Sequence, residues 1–206
     1  MQGKFIVLEG VEGAGKSTNL AFIQRWLSHR GFDVLTTREP GGTPIGEQIR
    51  TILLNPHNRT MCVDTEALLM FAARAQHVRE KIKPALAQGQ WVICDRFVDA
   101  SYAYQGVARG MPFARLDALA EWTLQGFHAH MTFIFDLPPE VGMARVAARG
   151  EGKDRFELED LSFFARVRQA YLDRAALAPA RYAVIDAAQP LPEVQRQIER
   201  VLERLI

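Results

Sequence analysis

Gly10-Val11-Glu12-Gly13-Ala14-Gly15-Lys16-Ser17 places two glycines, a lysine and a hydroxyl at the spacing of a phosphate-binding loop. Such glycines let successive backbone N–H groups turn inward around an anion, and a following helix points its positive end at the same spot. Lys16 is then expected to reach the outer phosphates of a nucleoside triphosphate, and Ser17 to offer its hydroxyl to Mg²⁺. Gly10, Val11, Glu12, Gly13, Ala14, Gly15, Lys16, Ser17 and Thr18 form the expected ATP-binding segment. Phosphoryl transfer needs little covalent chemistry from a protein; it needs two oxygens in line and the equatorial charge neutralised. Arginines away from the loop are therefore expected to hold an acceptor's own phosphate. Arg38 and Arg96, each directly after an apolar run, are so placed, and the planar guanidinium suits a phosphate. Asp95 ends the run that Arg96 follows and joins Ser17 as a candidate metal ligand. The Asn-Lys-x-Asp and Asp-x-x-Gly strings typical of GTP-dependent switches are missing from the sequence, which argues against that class.

These side chains need a scaffold, and five short runs rich in β-branched and aromatic residues supply one. Phe5–Leu8, Val34–Thr37, Trp91–Cys94, Thr132–Phe135 and Tyr182–Ile185 read as buried strands. Helical spacing intervenes, as in Leu20, Ile23 and Leu27, or Val194, Ile198, Val201 and Leu205. Strand and helix alternating in this way predict an α/β fold, a five-stranded parallel sheet covered by helices on both faces. The runs lead into Glu9, Arg38-Glu39, Asp95-Arg96, Asp136 and Asp186. Ligands of open parallel sheets sit at the carboxyl ends of the strands, so several of these charges are expected to rim one cleft.

The chain has 206 residues, which argues roughly one domain. Its 25 Lys+Arg against 24 Asp+Glu leave a net charge of +1, so no global basic field recruits a nucleic-acid polymer. Two cysteines cannot build a disulfide framework, and the apolar start is too short for a signal peptide, so a reducing cytoplasm is the expected setting. No apolar run approaches the roughly 18 residues of a membrane span.

Beyond the phosphate loop, Arg38-Glu39-Pro40-Gly41-Gly42-Thr43, Phe71-Ala72-Ala73-Arg74, Asp95-Arg96-Phe97 and Ser101-Tyr102-Ala103-Tyr104-Gln105-Gly106 occur in that order. Together they resemble the bacterial thymidylate kinases, over almost the whole chain. The resemblance implies a three-layer P-loop kinase fold and transfer of phosphate from Mg·ATP to dTMP in the supply of dTTP. It assigns Arg38 and Arg96 to the dTMP phosphate and Glu12 to the sugar hydroxyl or a metal-bound water. It places Phe71 against the thymine ring and Arg74, Ser101 and Gln105 at the base edge, with Tyr104 crowding the sugar 2′ position. It also implies a homodimer.

Arg145 and Arg149 lie four apart on one helical face, and Arg155 follows the glycine-containing stretch from Arg149 to Lys153. Arginines on a movable element suit a lid, expected at about 145–157, that closes over ATP and neutralises transition-state charge. With Glu12-Gly13 in the loop rather than arginine, the resemblance implies the subtype whose lid supplies the catalytic arginine. The catalytic set expected is Lys16, Glu12, Arg96, Arg149 and Arg155, with the last two preferred to Arg145. The competing readings are a kinase for another nucleoside or nucleoside monophosphate, and a nucleotide-dependent ATPase switch.

Overall fold

The computed structural model describes residues 3–148 and 154–206. Its five parallel strands are β1 (Phe5–Gly10), β2 (Val34–Arg38), β3 (Trp91–Asp95), β4 (Met131–Asp136) and β5 (Tyr182–Asp186), in the spatial order β2-β3-β1-β4-β5. Each expected strand is present. The helices are α1 (Lys16–Ser28), α2 (Pro44–Leu54), α3 (Val63–His77), α4 (Lys83–Ala87), α5 (Val98–Ser101), α6 (Phe113–Leu124), α7 (Pro139–Ala147), α8 (Leu161–Leu177) and α9 (Leu191–Leu202). Widened π turns at Val78–Ile82 and Tyr102–Ala108 carry α3 into α4 and prolong α5.

Alternation along the strands divides the core between the two faces of the sheet. Ile6, Leu8, Trp91 and Ile93 join the side chains of α1, α8 and α9, whereas Phe5, Val7, Val92 and Cys94 meet Val78, Ile82 and Ala85 on the other face. The α9 stripe packs as its spacing predicts, with Val194, Ile198 and Leu202 buried and Val201 and Leu205 against them. Local chemistry fixes helix starts: Thr43 accepts from Gly46 N with Pro44 at the first turn of α2, and Asp160 accepts from Phe163 N to cap α8.

Strand β1 lies between β3 and β4, so the carboxyl ends of β1 and β3 sit side by side, with Leu8 opposite Asp95 and Asp95 opposite Arg38. This is the reversal point of the strand order, where ligands of such sheets bind. The loop after β1 is seated without room for extra atoms. Gly13 has φ +74, and a Cβ there falls 2.2 Å from Gly142 O; a Cβ on Gly142 falls 2.3 Å from Glu12 O. Both contacts are with backbone, so neither can yield by a rotamer change. Gly142→Ala is therefore expected to push the loop off α7, lower the unfolding free energy by about 1–3 kcal/mol and raise the KM for nucleotide. Thermal unfolding and steady-state kinetics on the same preparation check both parts.

Candidate active site

Two clefts open at the carboxyl end of the sheet. One runs along the loop and is lined by Glu12 to Thr18, Asp95 and Glu157. The other, with an empty volume of about 540 Å³, has apolar walls from Leu54, Met70, Phe97 and Phe156 and ends at Arg74, Ser101 and Gln105. Glu12, Arg50, Arg96 and Asp154 line both, so the clefts meet there. A groove on the far side of the loop, bounded by Thr18, Asn19, Arg145, Gln189 and Leu191, continues the first cleft outward.

The junction is built around Arg96, whose φ of 68° is left-handed. A non-glycine residue in that region is strained and is held there by its surroundings. Its Nη1 donates to Gly10 O and to Tyr171 Oη, both at 3.0 Å, and its Nη2 to Glu12 Oε1 at 2.7 Å. Tyr104 stands under the guanidinium, 5.0 Å from ring centroid to Cζ, and its hydroxyl donates to Glu12 at 2.8 Å. Glu9, which sequence reasoning set at the rim of the cleft, is fully buried instead. It accepts from Phe97 N, Ala100 N and Tyr171 Oη, and so ties the chain that follows Arg96 to β1 and α8. Burial pushes its pKa up to about 7, against the pull of the nearby Arg96 charge.

Lys16 folds back over its own loop, donating to Gly10 O at 3.1 Å and Val11 O at 3.0 Å. Burial first, and the Arg96 charge second, pull its pKa down to about 8. Ser17 and Thr18 stay exposed at the start of α1. Asp95 Oδ1 is buried without a hydrogen-bond partner and faces the same cleft as Ser17. An orphaned carboxylate oxygen beside a free hydroxyl fits a hard divalent cation that keeps most of its waters. No cluster of three or more His, Cys, Asp or Glu side chains suited to a metal occurs among the described residues, so a fully protein-caged ion is not what these groups fit.

At the far end of the acceptor cleft Arg74 is 1% exposed and held through each of its three guanidinium nitrogens. Its Nε donates to Glu39 Oε2 at 2.7 Å, Nη1 to Ser101 Oγ at 3.0 Å and Nη2 to Phe97 O at 2.9 Å. Glu39, next to a cis Glu39-Pro40 bond, also meets His77 Nδ1 at 3.0 Å. Gln105 Nε2 donates to Glu66 Oε1 at 2.7 Å.

Several expected placements are corrected. Phe71 does not reach the cleft: it is buried with Ala67, Tyr102, Met111 and Leu116, beneath the Arg74 guanidinium at 4.7 Å. Met70, one position earlier and four before Arg74, lines the cleft instead. Arg38 pairs with Glu47 at 2.9 Å and opens onto a groove with Ser17, Lys81 and Asp95, not onto the acceptor cleft. Arg155 is 7% exposed; it bonds Leu53 O and pairs with Glu66 at 2.6 Å, packed on Phe156 away from the loop. Arg149 lies outside the described residues. Arg145, the arginine given least weight, donates to Gly13 O at 3.3 Å. Arg50, passed over in the sequence, stands at the junction and donates to Pro40 O at 2.9 Å. It follows no strand; the only available signal was its position three residues after Glu47 on the helix that begins at Pro44.

A phosphate loop, a candidate cation site and a separate acceptor cleft meeting at two arginines define a P-loop nucleotide kinase. A sequence profile of the thymidylate kinase family matches residues 8–198. The chain is 54% identical over its full length to the thymidylate kinase of Pseudomonas putida, 98% of which is covered. It is 52% identical to that of Alcanivorax borkumensis, again over 98% of that protein. The crystal structure of thymidylate kinase from Ehrlichia chaffeensis superposes with a TM-score of 0.79 at 31% identity, covering 98% of this chain and 99% of that one. The chain belongs to the thymidylate kinase family.

Lys16 binds phosphate only when charged, so kcat/KM for nucleotide, which reports the free enzyme, should fall as pH rises through about 8. The bound phosphates restore the charge, so kcat should stay level over the same range. Rate profiles between about pH 6 and 9.5 distinguish these, and a flat kcat/KM contradicts the lowered pKa of Lys16. Arg155→Met should act differently from a catalytic lesion. Removing one partner of a buried pair is expected to lower stability by about 3–5 kcal/mol, with kcat of the folded fraction within about threefold of wild type. Denaturant unfolding and active-site-normalised turnover measure the two.

Proposed function

We propose that this chain transfers the γ-phosphoryl group of ATP to the 5′-phosphate oxygen of dTMP, giving dTDP and ADP in the supply of dTTP. The observation that carries the reading is the meeting of the loop cleft and the acceptor cleft at Glu12, Arg50, Arg96 and Asp154. An acceptor phosphate lying there faces two guanidinium groups held in advance, which is the electrostatic preorganisation that phosphoryl transfer uses.

In this reading Gly10 to Thr18 wrap the ATP phosphates, Lys16 neutralises the outer ones, and the donor base takes the groove beside Arg145 and Gln189. Mg²⁺ would be held by Ser17 and Asp95, where it would offset charge on the nucleotide phosphates. Arg96 and Arg50 hold the dTMP phosphate, with Arg38 at its outer approach. Glu12 and Tyr104, bonded to each other, face the sugar; a tyrosine there leaves a 2′-hydroxyl no space. Met70 and Phe97 sandwich the base, and Arg74, Ser101 and Gln105 read its edge.

The chain functions as one domain, 1–206, with the segment at about 145–157 as the lid and Arg149 as its arginine, assisted by Arg145. A homodimer is the favoured assembly: Leu68 on α3 and Trp122 on α6 are 55% and 72% exposed, on helices that pack together. No helix among the described residues is long and apolar enough to cross a membrane, and both cysteines are free thiols, consistent with work in the cytoplasm.

The test is ADP release from Mg·ATP with dTMP, dUMP, CMP, GMP, thymidine or no acceptor. Turnover should require a monophosphate and be fastest with dTMP. Turnover without acceptor would make the chain an ATPase, and a preference for thymidine would overturn the monophosphate reading.

A further inference from the structure

Glu66 lies outside the catalytic junction, on α3, and is fully buried. It receives Arg155 Nη1 at 2.6 Å, Arg109 Nε at 3.0 Å and Gln105 Nε2 at 2.7 Å. A carboxylate held by two guanidinium groups offers acceptors only, so the Gln105 amide has one permitted orientation, NH₂ toward Glu66. The amide oxygen is thereby turned away. Oε1 makes no hydrogen bond among the described residues, and Gln105 lines the acceptor cleft beside Ser101 and Arg74.

We infer that Glu66 is the positioning residue that sets pyrimidine selectivity, by fixing Gln105 as a hydrogen-bond acceptor toward ring position 3 of the acceptor base. This rests on the reading of the acceptor as dTMP. Thymine and uracil carry N3–H, a donor that an amide oxygen satisfies. Cytosine carries a bare N3 lone pair, which would face Oε1 acceptor to acceptor. Arg74 retains unspent N–H groups after its three bonds, and Ser101 Oγ, accepting from Arg74, keeps its own proton for donation. Donors flank one acceptor, the complement of a base with carbonyls on either side of N3–H. A buried group left unpaired is the means by which a site rejects a close analogue.

Glu66→Gln tests this, because a neutral amide at 66 can donate to Gln105 and let it flip. The ratio of kcat/KM for dTMP to that for dCMP should fall at least about tenfold from wild type, mostly through a gain with dCMP, while the dTMP to dUMP ratio holds. Ratios are insensitive to the fraction folded. Gln105→Met, which removes the acceptor and leaves the ion pairs of Glu66 in place, should lose the same selectivity and serves if Glu66→Gln is insoluble. Arg109→Met, which weakens the anchoring of Glu66 without supplying a donor to Gln105, should keep it. An unchanged dTMP to dCMP ratio in Glu66→Gln or Gln105→Met, or an equal collapse in Arg109→Met, overturns the inference. A wild-type chain that does not phosphorylate dTMP overturns the functional reading instead.

Discussion

The Arg96 guanidinium is the interaction on which the rest of the site depends. Two polyanions are to be brought together, and each cation that meets them must already be in place, since ordering it during the reaction would raise the barrier. Arg96 sits in a left-handed backbone conformation, which costs on the order of 1–2 kcal/mol for an L-residue. What offsets this is a set of charge-assisted bonds: Glu12 from the loop, Gly10 O from the end of β1, and Tyr171 from α8. Tyr171 donates its own hydrogen bond to Glu9, and Glu9 accepts from two backbone N–H groups of the segment after Arg96. Strand β1, the phosphate loop, the β3 exit and α8 thus share one network, and displacing any of them moves the arginine.

Near-neutral net charge follows from the same logic. The arginines around the acceptor cleft are matched by carboxylates, Arg96 by Glu12, Arg74 by Glu39, Arg155 and Arg109 by Glu66, whereas Lys16 rests on the carbonyls of Gly10 and Val11. These pairs are not evidence of unusual stability, because the desolvation of both partners consumes much of their attraction. Their effect is on geometry. Arg74 has a bond to Glu39, one to Ser101 and one to a backbone carbonyl, so its remaining N–H groups point where the fold directs them. The exposed pair of Arg38 and Glu47 is of a different kind, since water competes for both ends, and it leaves Arg38 free to change partner.

The sheet and the loop were legible in the sequence because their signals are local. A buried strand is an unbroken apolar run, and glycine at 10, 13 and 15 is required by backbone conformation, each having positive φ. The acceptor cleft was legible in outline and mistaken in phase. Phe71 and Met70 are neighbours on α3, separated by about 100° around its axis, and only the packing of α3 on α6 decides which of them faces the cleft. That packing turns Phe71 to Ala67 and Leu116. Arg155 was misjudged for a related reason: a glycine-rich, charged stretch reads as solvated, yet Arg155 and Phe156 are buried and tied to α2 and α3. Arg50 has no local signature at all. It matters because α2 places it where the two clefts meet, a fact of tertiary structure.

Glu66 extends this reasoning from position to orientation. A glutamine amide is nearly symmetric in shape, and its two ends carry opposite hydrogen-bonding character, so a pocket can be correctly shaped and still read the wrong base. Sequence can supply the glutamine but not its orientation; that depends on a partner 39 residues away whose own state depends on two arginines from other segments. One of those arginines, Arg155, belongs to the segment proposed as a lid. Arg155 and Gln105 therefore lean on the same buried carboxylate. Two-state coupling does not follow from contact alone. What does follow is that the polar face of the acceptor cleft is set from behind, by groups the acceptor never touches.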